Sequence, residues 1–77
     1  MSKLNPETFH LFEQVLANTR KYFVCEYYAG TREMIFRYVC KQLGDVPPAM
    51  VSAALRVLRD SNAIIYDKKV WWFLADR

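Results

Sequence analysis

The sequence predicts a mainly helical domain that ends in a β-hairpin, and three observations support this fold class. Three segments carry apolar residues at helical spacing, each with residues at its ends that favour helix starts and stops. The last part of the chain instead holds two runs of β-branched and aromatic residues. Two glycines and three prolines in 77 residues leave little room for a many-turned β architecture. A chain of this length is expected to form one domain, spanning residues 1–77.

The first helix is predicted to begin at Asn5, an N-cap candidate, with Pro6 at the first helical position. A stripe at three- and four-residue spacing then predicts the face turned towards the core: Phe9, Phe12, Val15, Leu16 and Thr19. The aromatic and β-branched content of residues 21–28 favours a short strand, but the spacing equally continues the first helix. In both cases Gly30 is expected to end the segment in the left-handed conformation.

The second and third helices are predicted from their caps and their apolar stripes. Thr31 is an N-cap candidate for the second helix, and Gly44 is expected to end it. The third helix is predicted over about residues 48–61, with Asn62 in the left-handed conformation that usually requires glycine. Its expected buried stripe consists of Val51, Ala54, Leu55 and Leu58.

The hairpin is predicted from the runs 63–66 and 70–74, joined by Asp67-Lys68-Lys69. Because this connection has no glycine, a longer type I turn begun by Asp67 is expected in place of a two-residue primed turn. Alternate residues from Val70 to Leu74 are expected to pack on the helices. Trp71 and Phe73 would then form an uncovered apolar face and a protein interface, which a homodimer would cover; stacking of nucleic-acid bases on these aromatics is an alternative.

Several function classes are excluded by what the sequence lacks. No apolar run approaches the length of a membrane span, and no secretory signal is visible, so a cytoplasmic location is expected. Cys25 and Cys40 are expected to be buried free thiols. One histidine and two cysteines are too few for a zinc site, and no cofactor is expected. Without a glycine-rich phosphate loop or a recognisable catalytic set, the chain is not expected to be an enzyme.

The charge is unevenly distributed along the chain. The formal net charge is +3, and residues 1–30 carry three basic and three acidic side chains. The whole excess therefore lies in residues 31–77, which hold eight lysines and arginines against five carboxylates. An anionic partner is expected to meet this part of the molecule first.

The order helix, sharp corner, helix, hairpin resembles that of winged helix-turn-helix domains. The segment Val51-Ser52-Ala53-Ala54-Leu55-Arg56-Val57-Leu58-Arg59-Asp60-Ser61-Asn62-Ala63-Ile64-Ile65 is similar to the family's third helix running into its wing. The resemblance covers about residues 31–74 and rests on hydrophobic spacing, with Asn62 where the family usually has glycine. It implies three helices plus a wing, and binding of double-stranded DNA through the third helix and the wing.

Carried onto this sequence, the resemblance implies two sets of DNA-binding residues. The positions that would read bases are Ala49, Ser52, Ala53 and Arg56. Those that would contact phosphates are Thr31, Arg32, Lys68 and Lys69. Two other readings stay open, because Ala49 and Ala53 would also suit packing against another element, and the two lysines would also suit a solvated hairpin tip.

Two functional hypotheses follow for the same fold. The first is a small DNA-binding protein, a transcriptional regulator or an accessory factor, expected to act as a homodimer. The second is a protein-binding module, such as an adaptor or a phage- or plasmid-type inhibitor of a host nucleic-acid-processing complex. In the second hypothesis the alanine-lined third helix and the face with Trp71 and Phe73 would form the docking surface.

Overall fold

The computed structural model describes residues 6–74 as three α-helices and a three-stranded antiparallel sheet, which confirms the predicted mainly helical fold with a C-terminal hairpin. The predicted N-cap Asn5 lies outside the described residues. The helices are α1 (Pro6–Lys21), α2 (Arg32–Leu43) and α3 (Pro48–Asp60). The strands are β1 (Ala29–Gly30), β2 (Ile64–Asp67) and β3 (Val70–Phe73). Across the described residues, no helix combines the length and the apolar character needed to cross a membrane.

Helix α1 continues directly into a π-helical turn, Tyr22–Glu26. The backbone N–H of Tyr27 closes this turn by donating to the Tyr22 carbonyl at 2.8 Å. For residues 21–28 the sequence was compatible with a short strand and with a continued helix. The structure is helical up to Glu26, and the strand that follows is the two-residue β1. A π turn holds one residue more than an α turn, and within it the adjacent side chains of Tyr22 and Phe23 are both buried.

Gly30 does not end a helix in the left-handed conformation, so that expectation is wrong. Gly30 lies in β1 opposite Trp71, and the glycine with a positive φ is Gly44, at 89°. The reason for glycine at position 30 is contact with Tyr22, whose hydroxyl donates to the Ala29 carbonyl at 3.1 Å. A Cβ at Gly30 would collide with the Tyr22 hydroxyl and lie 2.9 Å from its Cζ.

The Tyr22 ring stands at the centre of an aromatic cluster. Its centroid lies 5.1 Å from those of Phe23 and Tyr27, and 5.5 Å from that of Tyr38. Burial, and secondarily the nearby Tyr27 phenol, raises the pKa of Tyr22 above its ordinary value of 10.0. The hydroxyl is therefore a neutral donor at physiological pH, and the ring is fixed on several sides.

The predicted caps of α2 and α3 are confirmed. The Thr31 hydroxyl accepts from the Met34 N–H at 3.2 Å, and Gly44 follows the last residue of α2 with its positive φ. Asn62 has a φ of 65°, and the N–H of Ala63 donates back to the Leu58 carbonyl at 2.9 Å. These bonds satisfy backbone groups that a helix end would otherwise leave unpaired.

The core lies where α1, α2 and α3 meet the inner face of the hairpin. The stripe predicted for α3 is confirmed, because all four of its residues are buried. On α1, Val15 and Thr19 are buried, and the Thr19 hydroxyl donates to the Val15 carbonyl at 2.7 Å. Phe9, expected in the same stripe, is 50% exposed, since it lies one turn before the helix reaches the core.

The sheet has the strand order β1-β3-β2, and the hairpin turn differs from the prediction. Asp67 pairs with Val70, which leaves a two-residue loop of Lys68 and Lys69 with φ values of 53° and 67°. Positive φ at both central residues is the mark of a type I′ turn. The expectation of a longer type I turn is wrong, because the twist of the paired strands favours a primed turn even without glycine.

The two faces of the hairpin are the reverse of those expected. Ile64 is buried and pairs with Phe73, so Phe73 and Trp71 share the inner face and are half-buried against the core. Trp72 points the other way, opposite Ile65, and is 45% exposed. Both faces of the hairpin carry apolar side chains, and the pairing of Phe73 with Ile64 decides which face packs on the helices.

The cysteines are free but not buried as expected. Cys25 is exposed and Cys40 is half-buried. Cys25 lies in the π-helical turn, which buries Tyr22 and Phe23 and leaves its remaining side chains towards solvent.

Candidate nucleic-acid interface

An open groove of about 540 Å³ lies between the start of α2, the outer side of α3 and the tip of the hairpin. We call it the cationic groove, because four basic side chains from these three elements line it: Arg32, Arg56, Arg59 and Lys69. These four residues are spread in sequence from position 32 to position 69, so the fold brings their charges together.

Helix α3 supplies one wall of the cationic groove. Ser52, Arg56 and Arg59 line it and follow one another at spacings of four and three residues, which places them on one side of the helix. The adjoining side of α3 is held in the core by Val51 and Leu58, and Leu55 lies between the two sides, buried and at the floor of the groove. Packing of the apolar stripe in the core therefore directs the side chains of Ser52, Arg56 and Arg59 towards the groove.

The start of α2 supplies the second wall through Thr31 and Arg32. Thr31 caps the helix, and the first turn of a helix carries unpaired N–H groups and the positive end of the helix dipole. An anion in this part of the groove would meet both the Arg32 guanidinium and a helix N-terminus.

Most of the positive charge in the groove is unpaired. Glu33 also lines the groove and pairs with Arg37 at 3.1 Å in an exposed contact, so its carboxylate offsets part of the charge of the four groove cations. Arg59 lies 3.6 Å from the Asp60 carboxylate in an exposed pair, which is worth little in water. Arg32, Arg56 and Lys69 make no ion pair within residues 6–74. The groove is thus an electropositive surface available to an anionic ligand.

The hairpin contributes aromatic surface as well as charge. Tyr66 and Trp71 line the groove, and their ring centroids are 4.7 Å apart at an interplanar angle of 44°. The two residues are direct cross-strand partners, which holds the rings together.

The structure places the residues singled out in the sequence in several different surroundings. The cationic groove brings together five of the expected DNA contacts: Thr31, Arg32, Ser52, Arg56 and Lys69. Ala53 and Ala49 line an apolar pocket with Phe12 of α1, and Ala49 also borders a second pocket beside Phe36. Lys68 is exposed at the hairpin tip and does not line the groove.

Trp71 and Phe73, the two aromatic residues expected at a protein interface, also lie in different surroundings. Trp71 lines the groove, whereas Phe73 stacks on Tyr28 at a centroid distance of 6.3 Å.

One cation and one aromatic residue of the groove, Arg59 and Tyr66, were not predicted as site residues from the sequence. Arg59 follows Arg56 by three residues, so helical spacing alone would have placed it on the same side. Tyr66 joins the site through its pairing with Trp71, and this register depends on a two-residue turn that the sequence did not predict.

Comparison of the chain with protein-family models, with curated proteins and with solved structures gives no match. The observed layout, three helices with a small three-stranded antiparallel sheet, is compatible with a winged-helix arrangement. Within residues 6–74, no cluster of three or more histidine, cysteine or acidic side chains is arranged to hold a metal ion. The charge and shape of the cationic groove are therefore the features that bear on function.

Proposed function

We propose that the protein is a small winged-helix DNA-binding protein, a regulator or accessory factor, that holds DNA through the cationic groove. The observation that carries the proposal is the convergence from three separate elements of Arg32, Arg56 and Lys69, three cations that make no ion pair within residues 6–74. Phosphate contacts supply most of the affinity of proteins for DNA. A surface that spans α2, α3 and the hairpin would contact the phosphate backbone at several points along a duplex.

The same geometry supports weak sequence discrimination. The side of α3 that lines the groove offers Ser52 and Arg56 for base edges, and of these two only the guanidinium can make the bidentate contact that distinguishes guanine. Ala53 lies towards α1, where it lines an apolar pocket. We therefore expect affinity to depend strongly on salt and modestly on sequence.

A matched pair of substitutions on α3 tests the proposal. Ser52→Glu inserts a carboxylate into the cationic groove beside Arg56, whereas Ala53→Glu adds the same charge one residue away, outside the groove. We expect Ser52→Glu to weaken binding of a mixed-sequence duplex at low salt at least tenfold, and Ala53→Glu to weaken it several times less. Fluorescence anisotropy of a labelled duplex measures both. Equal losses, or no binding by the unmodified protein at micromolar concentration, would contradict the proposal.

A second candidate function, protein binding, is favoured by the outer face of the hairpin. Ile65 and Trp72 lie directly opposite each other on β2 and β3 and are 43% and 45% exposed, with Leu74 two residues beyond Trp72. Adjacent exposed apolar side chains of this kind are typical of interaction surfaces. In this function the outer face, and not the cationic groove, would be the docking site. Trp72→Ala would then abolish activity in the cell while leaving duplex affinity unchanged.

A further inference from the structure

The cationic groove contains an aromatic surface that phosphate binding does not use. Tyr66 is 52% exposed although the preceding inward-facing residue of β2, Ile64, is fully buried. Its ring packs on that of Trp71 at 4.7 Å, and both rings border the same space as Arg56, Arg59 and Lys69. Aromatic rings amid unpaired cations form a surface that can take a flat, uncharged group attached to an anion.

We propose that the cationic groove binds single-stranded nucleic acid, an inference that rests on the proposed function. An unpaired base stacks on Tyr66 and Trp71, and the neighbouring phosphates lie against Arg56 and Lys69. Proteins that hold single strands combine these two elements, a basic groove along the backbone and aromatic rings under the bases. The volume of about 540 Å³ is within the range of sites that enclose small organic ligands, which is sufficient for a nucleotide.

The ring positions favour an unpaired strand over a duplex as the ligand for this part of the groove. In a duplex each base is covered on both faces by its neighbours, so an aromatic ring can meet base edges and the sugar-phosphate backbone but cannot stack on a base. A single strand exposes base faces, and each stacked base adds affinity without requiring a particular sequence. This matches the scarcity of base-reading side chains along the groove.

The two tryptophans provide a direct test, because they occupy adjacent positions on β3 and face opposite ways. Trp72→Phe leaves Trp71 in the groove as the only tryptophan, and Trp71→Phe leaves Trp72 on the outer face. Each variant is titrated at low salt with oligo(dT) and, separately, with oligo(rU), which distinguishes the two sugars. We expect quenching of fluorescence in the Trp72→Phe variant and little change in the Trp71→Phe variant. Equal responses, or none from Trp71 at saturation, would overturn the proposal.

A second measurement uses two exposed tyrosines. Tyr66→Ala removes the exposed ring of the groove, and Tyr28→Ala removes a ring that is 71% exposed and does not line the groove. We expect Tyr66→Ala to weaken oligo(dT) binding about fivefold to a hundredfold and to weaken duplex binding by a clearly smaller factor. Tyr28→Ala should change neither. Thermal unfolding of both variants checks that each is folded.

The outcomes separate this inference from the proposed function. If duplex DNA binds with strong salt dependence while Tyr66→Ala lowers duplex and single-strand affinity equally, the base-stacking site is disproved and the DNA-binding function stands. If neither duplex nor single strand binds the unmodified protein, both proposals fail. An oligonucleotide with abasic positions adds a check, because it keeps the phosphates and should lose the quenching of Trp71.

Discussion

Gly30 and Tyr22 form a contact that joins the helical part of the molecule to the sheet. The Tyr22 hydroxyl reaches over β1 to the Ala29 carbonyl, and it occupies the space where a side chain at position 30 would begin. The ring cannot move aside easily, because it packs against three other aromatic rings. Interiors packed to this density respond to one added methyl group.

We expect Gly30→Ala to lower the free energy of unfolding by about 1–3 kcal/mol, the usual cost of overpacking. In a Tyr22→Phe background the closest clash is absent, so the same substitution should cost less. Urea unfolding of the two single variants and the double variant measures this coupling. Gly44→Ala serves as a control for backbone strain, since Gly44 has a positive φ and open space around it. Strictly additive effects of the Gly30 and Tyr22 changes would contradict the contact.

At the scale of the elements, the hairpin turn places two lysines in a conformation that suits glycine or asparagine. Lys68 and Lys69 have φ values of 53° and 67°, but only Lys69 lines the cationic groove. Their backbone requirements are therefore alike, while their expected roles in binding differ.

We expect Lys69→Gly and Lys68→Gly to raise the free energy of unfolding by a similar amount, about 0.5–1 kcal/mol, because glycine adopts positive φ without a steric penalty. Only Lys69→Gly should reduce duplex affinity appreciably, by the loss of one phosphate contact. Chemical denaturation and anisotropy titration measure the two effects on the same samples. Equal losses of affinity would mean that the groove does not distinguish the two lysines.

The elements that the sequence predicted well are those with local determinants. Thr31, Gly44 and Asn62 act on backbone groups a few residues away. The ends of α2 and α3 that they mark can therefore be predicted without knowledge of the rest of the fold. The π-helical turn breaks the 3.6-residue period on which helix prediction depends. The orientation of β3 depends on pairing with β1 and β2, and both faces of its sequence are apolar.

The candidate site, like the fold, could be predicted only in part from the sequence. Basic side chains that lie 24 residues (32 to 56) and 13 residues (56 to 69) apart in sequence cannot be grouped by local spacing, and the family resemblance supplied the grouping of Arg32, Arg56 and Lys69. It also included Ala53, which lines an apolar pocket towards α1, and it did not include Tyr66. Both differences arise from tertiary packing and strand register, for which a single sequence carries no direct signal.

At the scale of the whole molecule, the positive charge is concentrated where the three elements meet. Four cations line one groove together with one carboxylate, Glu33, which pairs with Arg37, and the Asp60 carboxylate lies 3.6 Å from Arg59. The net charge of +3 thus understates the local potential that a nucleic acid would meet.

We expect the logarithm of the duplex association constant to fall linearly with the logarithm of salt concentration, with a slope of about −3 to −4. This slope corresponds to three or four phosphates neutralised by the groove cations. Arg56→Gln should reduce the steepness by about one unit, whereas Arg20→Gln, at an exposed arginine outside the groove, should leave it nearly unchanged. Titrations at several salt concentrations give the slopes. A flat dependence would exclude phosphate contact as the source of affinity.

The pairing of β1 with β3 depends on the number of residues in the π-helical turn. Its extra residue carries the chain far enough for Ala29 and Gly30 to meet Trp72 and Trp71. Deleting one residue between Tyr22 and Glu26 would let an ordinary helix form, rotate everything that follows by about a quarter turn or slightly more, and draw β1 away from β3. Insertions and deletions in this short segment should therefore be tolerated far less than its exposed side chains suggest.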